Sequence, residues 1–343
     1  AGNTFVLKAA SAAPQSALRF TELWMEAGLP PGVLNVITCA PDDVSLFIQH
    51  PDIVGVSFVG SSETGARVYA EAAAEGKRVQ VLGEAKNHAL VMADCALERT
   101  AAGIINAFCG CAGQRCMALP VVVAEEPVAD ALVRLLREKA AHLKLGPAYD
   151  KNTTLGPLVS ASRRKNVLDW IGRGIREGAE LVLDGRGISV PGYENGFFIG
   201  PTLFDHVTPG MSIGEQEIFG PVLCIKRVRN FEEGLSVMNA NPFANGSVIY
   251  TQNGRYAREF TRRTHGGMVG VNVGIPVPVC SFGFTGHKRS FFGDLHTMGT
   301  DGVRFYTEKK TVTSTWFEDG HRGIVDTWDG TLGSLSENSG KRN

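Results

Sequence analysis

What the chain lacks narrows it first. No apolar run approaches the roughly 18 residues that a membrane-spanning helix requires, so a helical membrane protein is excluded. Neither sign of charge is in excess: 34 Lys and Arg against 35 Asp and Glu leave a net charge of −1. A surface for nucleic acid or for an anionic membrane would leave a basic surplus, so neither is expected as a partner. A disulfide framework is missing as well. The seven cysteines (39, 95, 109, 111, 116, 224 and 280) are odd in number and irregularly spaced, which fits a reducing compartment and a cytoplasmic protein. Cys109, Cys111 and Cys116 lie close together, but none of the eight histidines pairs with them at ligand spacing, so no metal site is expected. The chain opens on Ala1 without a charged-then-apolar leader, and no signal peptide is read there.

Glycine, by contrast, is plentiful: 41 of 343 residues, about 12% against a usual share of about 7%. Folded chains place glycine at turns, at helix ends and where backbone must approach a ligand. The length exceeds one ordinary core and predicts two domains.

Helix and strand signals alternate, the pattern of an α/β fold. Strands are expected over 4–7, 33–37, 53–59 and 78–82, the third of them buried on both faces. A helix over 14–27 carries Ala17, Phe20, Trp24 and Ala27 on one side. Another is capped by Ser61 and runs through Ala74. After Leu82 the rhythm changes, and a second α/β domain is expected from near Asn87. It begins with strand 89–92, helix 97–108, strand 120–124 and helix 128–143, with a further helix over 163–177. Val303–Trp316 reads as a long strand, and residues 317–343 as a mobile tail of Gly, Ser and charge.

Three stretches carry residues suited to chemistry, each with an ordinary reading beside it. Gly60-Ser61-Ser62-Glu63-Thr64-Gly65 joins a strand to a helix whose free amides suit a phosphate. Its spacing is neither a Rossmann nor a Walker motif, so a plain capped turn stays open. Gly113-Gln114-Arg115-Cys116 places a thiol beside a permanent cation that would favour thiolate; the alternative is an inert loop cysteine. Glu217-Ile218-Phe219-Gly220-Pro221-Val222 offers a carboxylate and a flat ring ahead of a rigid turn, or simply a strand entered through that turn.

Taken in order, these stretches closely resemble the aldehyde dehydrogenase superfamily, and within it the CoA-acylating methylmalonate-semialdehyde dehydrogenases. Gly2-Asn3-Thr4-Phe5, Ser57-Phe58-Val59-Gly60-Ser61, Ala85-Lys86-Asn87-His88, Arg115-Cys116-Met117-Ala118, Gly270-Val271-Asn272-Val273 and Ile275-Pro276-Val277-Pro278 extend the likeness, which runs to about Trp316. The resemblance implies a Rossmann-type cofactor domain, incomplete here, over 1–86. A catalytic α/β domain over 87–300 would follow, then a β oligomerisation strand over 301–316. It also implies a homo-oligomer, dimer or tetramer, in the cytoplasm or, in a eukaryote, the mitochondrial matrix.

By the same resemblance Cys116 is the nucleophile that forms a thioester. Lys8, with Ser11 in its neighbourhood, faces the adenosine ribose of NAD; Gly60 and Ser61 sit by the pyrophosphate, and Gly83 by the nicotinamide. Glu217 holds the nicotinamide ribose, Phe219 packs near the ring, and Arg115 clamps the carboxylate of a semialdehyde acid. The expected reaction oxidises malonate or methylmalonate semialdehyde with NAD and CoA to acetyl-CoA or propionyl-CoA, as in valine catabolism.

Departures from the family qualify this. Leu82 stands where hydrolytic members have the glutamate that activates water, which favours CoA as the acyl acceptor over hydrolysis. Glu84 stands two residues on, where the branch has a small residue, and would be the substitute base of a hydrolytic alternative. Ser11 replaces the family's ribose-binding glutamate, which leaves NADP open beside NAD. The family's segment before Gly2, with an asparagine of the oxyanion hole, has no counterpart in this sequence. A catalytically silent chain that binds nucleotide or assembles with intact subunits is the reading from another class.

Overall fold

Two kinds of strand occur in this chain, those covered on both faces and those covered on one, and the site lies where they meet. A computed structural model describes residues 1–314 and 316. By its contacts the chain divides into a unit Ala1–Thr307 and a second from Glu308; the described residues of the second, 308–314 and 316, carry no helix or strand.

The first unit begins with β1 (Phe5–Lys8), α1 (Pro14–Glu26), β2 (Leu34–Ile37), α2 (Val44–Gln49), β3 (Gly55–Val59), α3 (Ser62–Ala74) and β4 (Arg78–Leu82). β1 and β2 pair in parallel as a sheet of their own. β3 and β4 pair in parallel within a second sheet.

The next stretch is β5 (His88–Val91), α4 (Leu97–Cys109), β6 (Val121–Glu125), α5 (Glu126–Ala141), α6 (Ala161–Arg176), β7 (Glu180–Leu183), β8 (Thr202–Asp205) and β9 (Val222–Val228). After it come α7 (Phe231–Ala240), β10 (Phe243–Ala244), β11 (Gly246–Tyr250), α8 (Gly254–Arg263) and β12 (Met268–Val271). Seven of these strands form one sheet in the order β12-β11-β5-β6-β9-β8-β7, parallel except for β7 against β8. β5, β8 and β11 are buried at every residue, and Val121 to Ala124 of β6 are fully covered. Helix crossovers place helices over a parallel sheet, which is why these strands read as unbroken apolar runs. The chain then closes with β13 (His287–Lys288), β14 (Phe291–Phe292) and α9 (Gly299–Phe305). β13 pairs with β10, and β14 adds antiparallel to β4, so the second sheet runs β14-β4-β3.

Two expectations need correction. β3 is covered on one face only: Val56 and Phe58 pack toward Ile48, Val68 and Ala72, while Val59 is 69% exposed. It is the edge strand of a three-stranded sheet, and its apolar run does not report a second covering layer. The Phe20 and Trp24 side of α1 is likewise open to solvent, and the two rings pack edge to face. No strand forms among the described residues of 303–316. Residues to Phe305 belong to α9, whose last carbonyls, Arg304 O and Phe305 O, accept from Arg78 Nη1. Residues 308–314 pair with no strand among the described residues; a β-prone sequence forms a strand only where its backbone finds a ladder partner. The tail over 317–343 lies outside the described residues.

No helix among the described residues is long and apolar enough to cross a membrane.

Candidate active site

The chain leaves the small sheet at Leu82 and enters the large one at His88, and those five connecting residues form the floor of the site. The carboxyl ends of β3 and β4 therefore approach the amino ends of β5, β6, β9 and β11. Gly60 and Gly83 follow β3 and β4, whereas Asn87, Asn245, the Cys116 loop and the Gly220-Pro221 turn all precede strands of the large sheet.

The cysteine loop is fixed by its backbone. α4 ends at Cys109, after which Cys111, Ala112 and Gly113 have φ of 54°, 53° and 71°. Left-handed backbone at two non-glycine residues is unusual and holds the loop in a sharp turn. Gly113 is obligatory here for a second reason: a Cβ on it would lie 2.2 Å from Gly220 O. The Gly113–Cys116 stretch and the Glu217–Pro221 turn thus lie against each other, backbone to backbone. Two amides then hold the Cys116 carbonyl, Asn87 Nδ2 at 2.9 Å and Asn245 Nδ2 at 3.0 Å. Asn87 also donates to Ala118 O at 2.7 Å and accepts the Gly246 amide at 2.7 Å, so it joins three strand starts. Asn87 belongs to the Lys-Asn-His run, but its part in holding the loop was not legible in the sequence, and neither was that of Asn245. A neutral amide far from a cysteine along the chain gives no signal of contact with it.

Cys116, Glu217, Phe219 and Arg115 line one pocket, with Ala85 and Phe108 behind them. Cys116 keeps solvent access as a residue. Burial of its thiol still raises the pKa above the ordinary value; its own amide opposes that, the Glu217 charge adds to it, and the Met117 amide and Arg115 oppose it again. Arg115 does favour thiolate as expected, but it is the weakest of these influences, and burial keeps the net shift upward. The guanidinium is weak because of its orientation. Arg115 Nη2 donates to Asn106 O and Ala107 O at the end of α4, closing that helix instead of presenting a free fork to the pocket. Its Nε is buried and meets no acceptor.

Glu217 is held by one oxygen, Oε1, which accepts the Ala85 amide at 3.0 Å; Oε2 has no donor among the described residues. Burial lifts its pKa to about 7, against that hydrogen bond. Phe219 takes φ 58°, a strained setting that aims its ring at the pocket. Buried Lys86 donates to Ile213 O at 2.8 Å and so ties the floor to the stretch before Glu217; burial lowers its pKa.

The glycine turn after β3 folds as read. Ser61 caps α3, its Oγ accepting from Thr64 N at 3.3 Å, and α3 runs through Ala74. A Cβ on Gly60 would strike the Phe58 ring, and one on Gly83 would strike Ser62 Oγ and Arg289 O. Close packing against these neighbours requires glycine at both positions. Lys8 ends β1 in the separate two-stranded sheet and donates to Ser11 Oγ at 3.3 Å. Glu84 does not line the cysteine pocket; its Oε2 accepts the Ser62 amide at 3.2 Å. The substitute-base role is thereby disfavoured.

A model of the aldehyde dehydrogenase family matches residues 1–312. The chain belongs to the aldehyde dehydrogenase family. Among curated members it is 47% identical over 316 residues to malonate-semialdehyde dehydrogenase 1 of Oceanobacillus iheyensis and 48% identical to malonate-semialdehyde dehydrogenase of Pseudomonas aeruginosa. Each alignment covers 92% of this chain, and 65% and 64% of the respective relative. The crystal structure of methylmalonate-semialdehyde dehydrogenase from Oceanimonas doudoroffii superposes with a TM-score of 0.91 at 43% identity, over 93% of this chain and 66% of that one. A provisionally named methylmalonate-semialdehyde dehydrogenase from Sinorhizobium meliloti, complexed with NAD, also gives 0.91, at 46% identity over 92% of this chain and 65% of that one. This aldehyde dehydrogenase chain thus spans about two thirds of the length of its relatives.

Proposed function

We propose that this chain carries the nucleophile and part of the dinucleotide seat of an NAD-dependent, CoA-acylating oxidoreductase for malonate or methylmalonate semialdehyde. The names of its relatives, at 47–48% identity, support the substrate class. The observation that carries the reading is the pocket in which Cys116, Glu217 and Phe219 converge, with Leu82 where hydrolytic family members place a water-activating glutamate.

The residues fit the cofactor. The Glu63 amide at the start of α3 meets no acceptor among the described residues, and Glu217 Oε2 is free to accept a ribose hydroxyl. Gly60, Ser61 and the α3 amides would hold the pyrophosphate, Glu217 the nicotinamide ribose, and Phe219 the edge of the ring. Lys8 and Ser11 would meet the adenosine ribose; with no carboxylate there, NADP is admitted alongside NAD. When bound, the nicotinamide supplies a hydride acceptor.

The chain's own chemistry then follows. Cys116 Sγ loses its proton and attacks the aldehyde carbon, forming a C–S bond and a thiohemiacetal. The amides of Cys116 and Met117 stabilise the thiolate. Glu217, with a pKa of about 7, is able to exchange that proton near neutrality. Loss of hydride from the thiohemiacetal leaves a thioester on Cys116. The substrate's carboxylate leaves as carbon dioxide, and the electron pair left on the α carbon takes a proton from solvent. The CoA thiolate then displaces Sγ, regenerating the cysteine and carrying off the acyl group. Arg115, turned toward the α4 carbonyls, would meet that carboxylate only once its guanidinium swings into the pocket. The division into a cofactor part over 1–86 and a catalytic part over 87–300 belongs to the same proposal, as do the homo-oligomer and the cytoplasm or matrix as compartment.

Incubating the protein with semialdehyde and NAD, without CoA, tests the nucleophile. The expected result is an acyl adduct on the Cys116 peptide in the mass spectrum. An adduct on another cysteine, or none, would overturn the assignment.

A further inference from the structure

The amide end of α3 is already partly filled by the chain itself. Ser62, Glu63 and Thr64 present the first three amides of the helix. Thr64 N–H goes to Ser61 Oγ, and Ser62 N–H goes to Glu84 Oε2 at 3.2 Å. Glu63 N–H remains. The carboxylate thus sits where the helix dipole and the free amides favour an anion. Its backbone has nowhere to go: Glu84 N donates to Ser62 Oγ at 2.9 Å, and Glu84 O accepts from Ser290 Oγ at 2.6 Å. Ser62 Oγ in turn donates to Arg289 O at 2.8 Å, and Ser62 itself is buried. The backbone of Glu84 is thus fixed at both its N–H and its carbonyl, and its carboxylate lies at the helix end.

We infer that Glu84 is an internal competitor for the anion at the start of α3, setting the affinity of this chain for the pyrophosphate of its dinucleotide. The inference rests on the dinucleotide reading above. An arriving diphosphate must take the Ser62 amide from Glu84 or lie beside a like charge, and either lowers its affinity. Glu84 plays opposite parts in the two states: in the free protein it satisfies an amide that would otherwise be unmet, and in the complex it repels. A residue with a merely structural part would support both states.

The test compares the wild type with Glu84→Gln and Glu84→Ala. The ligands are ADP-ribose, which carries the diphosphate, and adenosine, which does not, titrated calorimetrically at low salt. ADP-ribose is expected to bind both variants roughly three- to tenfold more tightly than the wild type, with the gain shrinking at high salt. Adenosine affinity should be unchanged, and the ligand-free Glu84→Ala protein should melt slightly below the wild type. If adenosine binds all three proteins while ADP-ribose binds the variants no more tightly than the wild type, the inference falls and the dinucleotide reading stands. If neither ligand binds any of the three, the dinucleotide reading falls and takes this inference with it.

Discussion

The two sheets of the site are built to different standards. The seven-stranded sheet has β5, β8 and β11 buried throughout and a core that continues into α4, α5, α6 and α7. On the other side, β1 to β3 are half exposed, and the cluster beneath α3 centres on Ile48, Val68 and Ala72. The proposed nucleophile, Cys116, belongs to the first region and the proposed phosphate turn, Gly60-Ser61, to the second. A cysteine that must hold its attack geometry gains from a rigid frame, whereas a cofactor that enters and leaves is served by a lighter one. On this account the large sheet sets the chemistry and most of the stability, and the small sheets set affinity.

Four substitutions press on that contrast, in falling order of effect. Cys116→Ser should lower NADH formation by at least about 10³-fold while leaving dinucleotide binding intact, since the two functions reside in different regions. Asn87→Ala removes the amide that serves Cys116 O, Ala118 O and Gly246 N. It should cost about 2–4 kcal/mol in denaturant unfolding and reduce turnover of whatever folds. Glu217→Gln should stabilise the protein in a pH-dependent way. The carboxyl titrates near 4.5 unfolded and about 7 folded, so the folded state holds its proton more tightly and loses relative stability as pH rises between those values. The variant's advantage is absent well below pH 4.5, grows to pH 7 and levels off at roughly 3 kcal/mol above it. A flat profile would show that Glu217 is better solvated than its surroundings suggest. Phe20→Ala, on the open side of α1, should change stability by no more than about 0.5 kcal/mol. A core-sized loss there would mean that the light region is covered in solution, by another copy of the chain for instance, and would break the contrast.

Much of this was legible in the sequence, though unevenly. Ser61 and β4 fall where expected, because a cap and an apolar run between glycines are local signals. The family motifs brought Cys116, Glu217 and Phe219 to one pocket. Orientation was not legible. Arg115 stands next to the cysteine, yet its guanidinium turns back to Asn106 O and Ala107 O at the end of α4, adding to the Gly110 and Leu119 amides that those carbonyls already accept. β3 reads as a doubly covered strand because its apolar run names no partners. Over 303–305, the start of the strand expected to run to Trp316, helix formation with Arg78 closing the last turn prevailed over the residues that suggested a strand. Glu84 was noticed as a candidate base near the cysteine, and only the fold places its carboxylate on the phosphate turn.

The central claim is that Cys116 transfers its acyl group to a thiol and not to water. The most direct measurement follows NADH after mixing the protein with malonate semialdehyde and NAD, with and without CoA. The account predicts sustained turnover only when CoA is present, with at most one equivalent of NADH per cysteine site in its absence. Sustained turnover without CoA, or no NADH in either case, would contradict it.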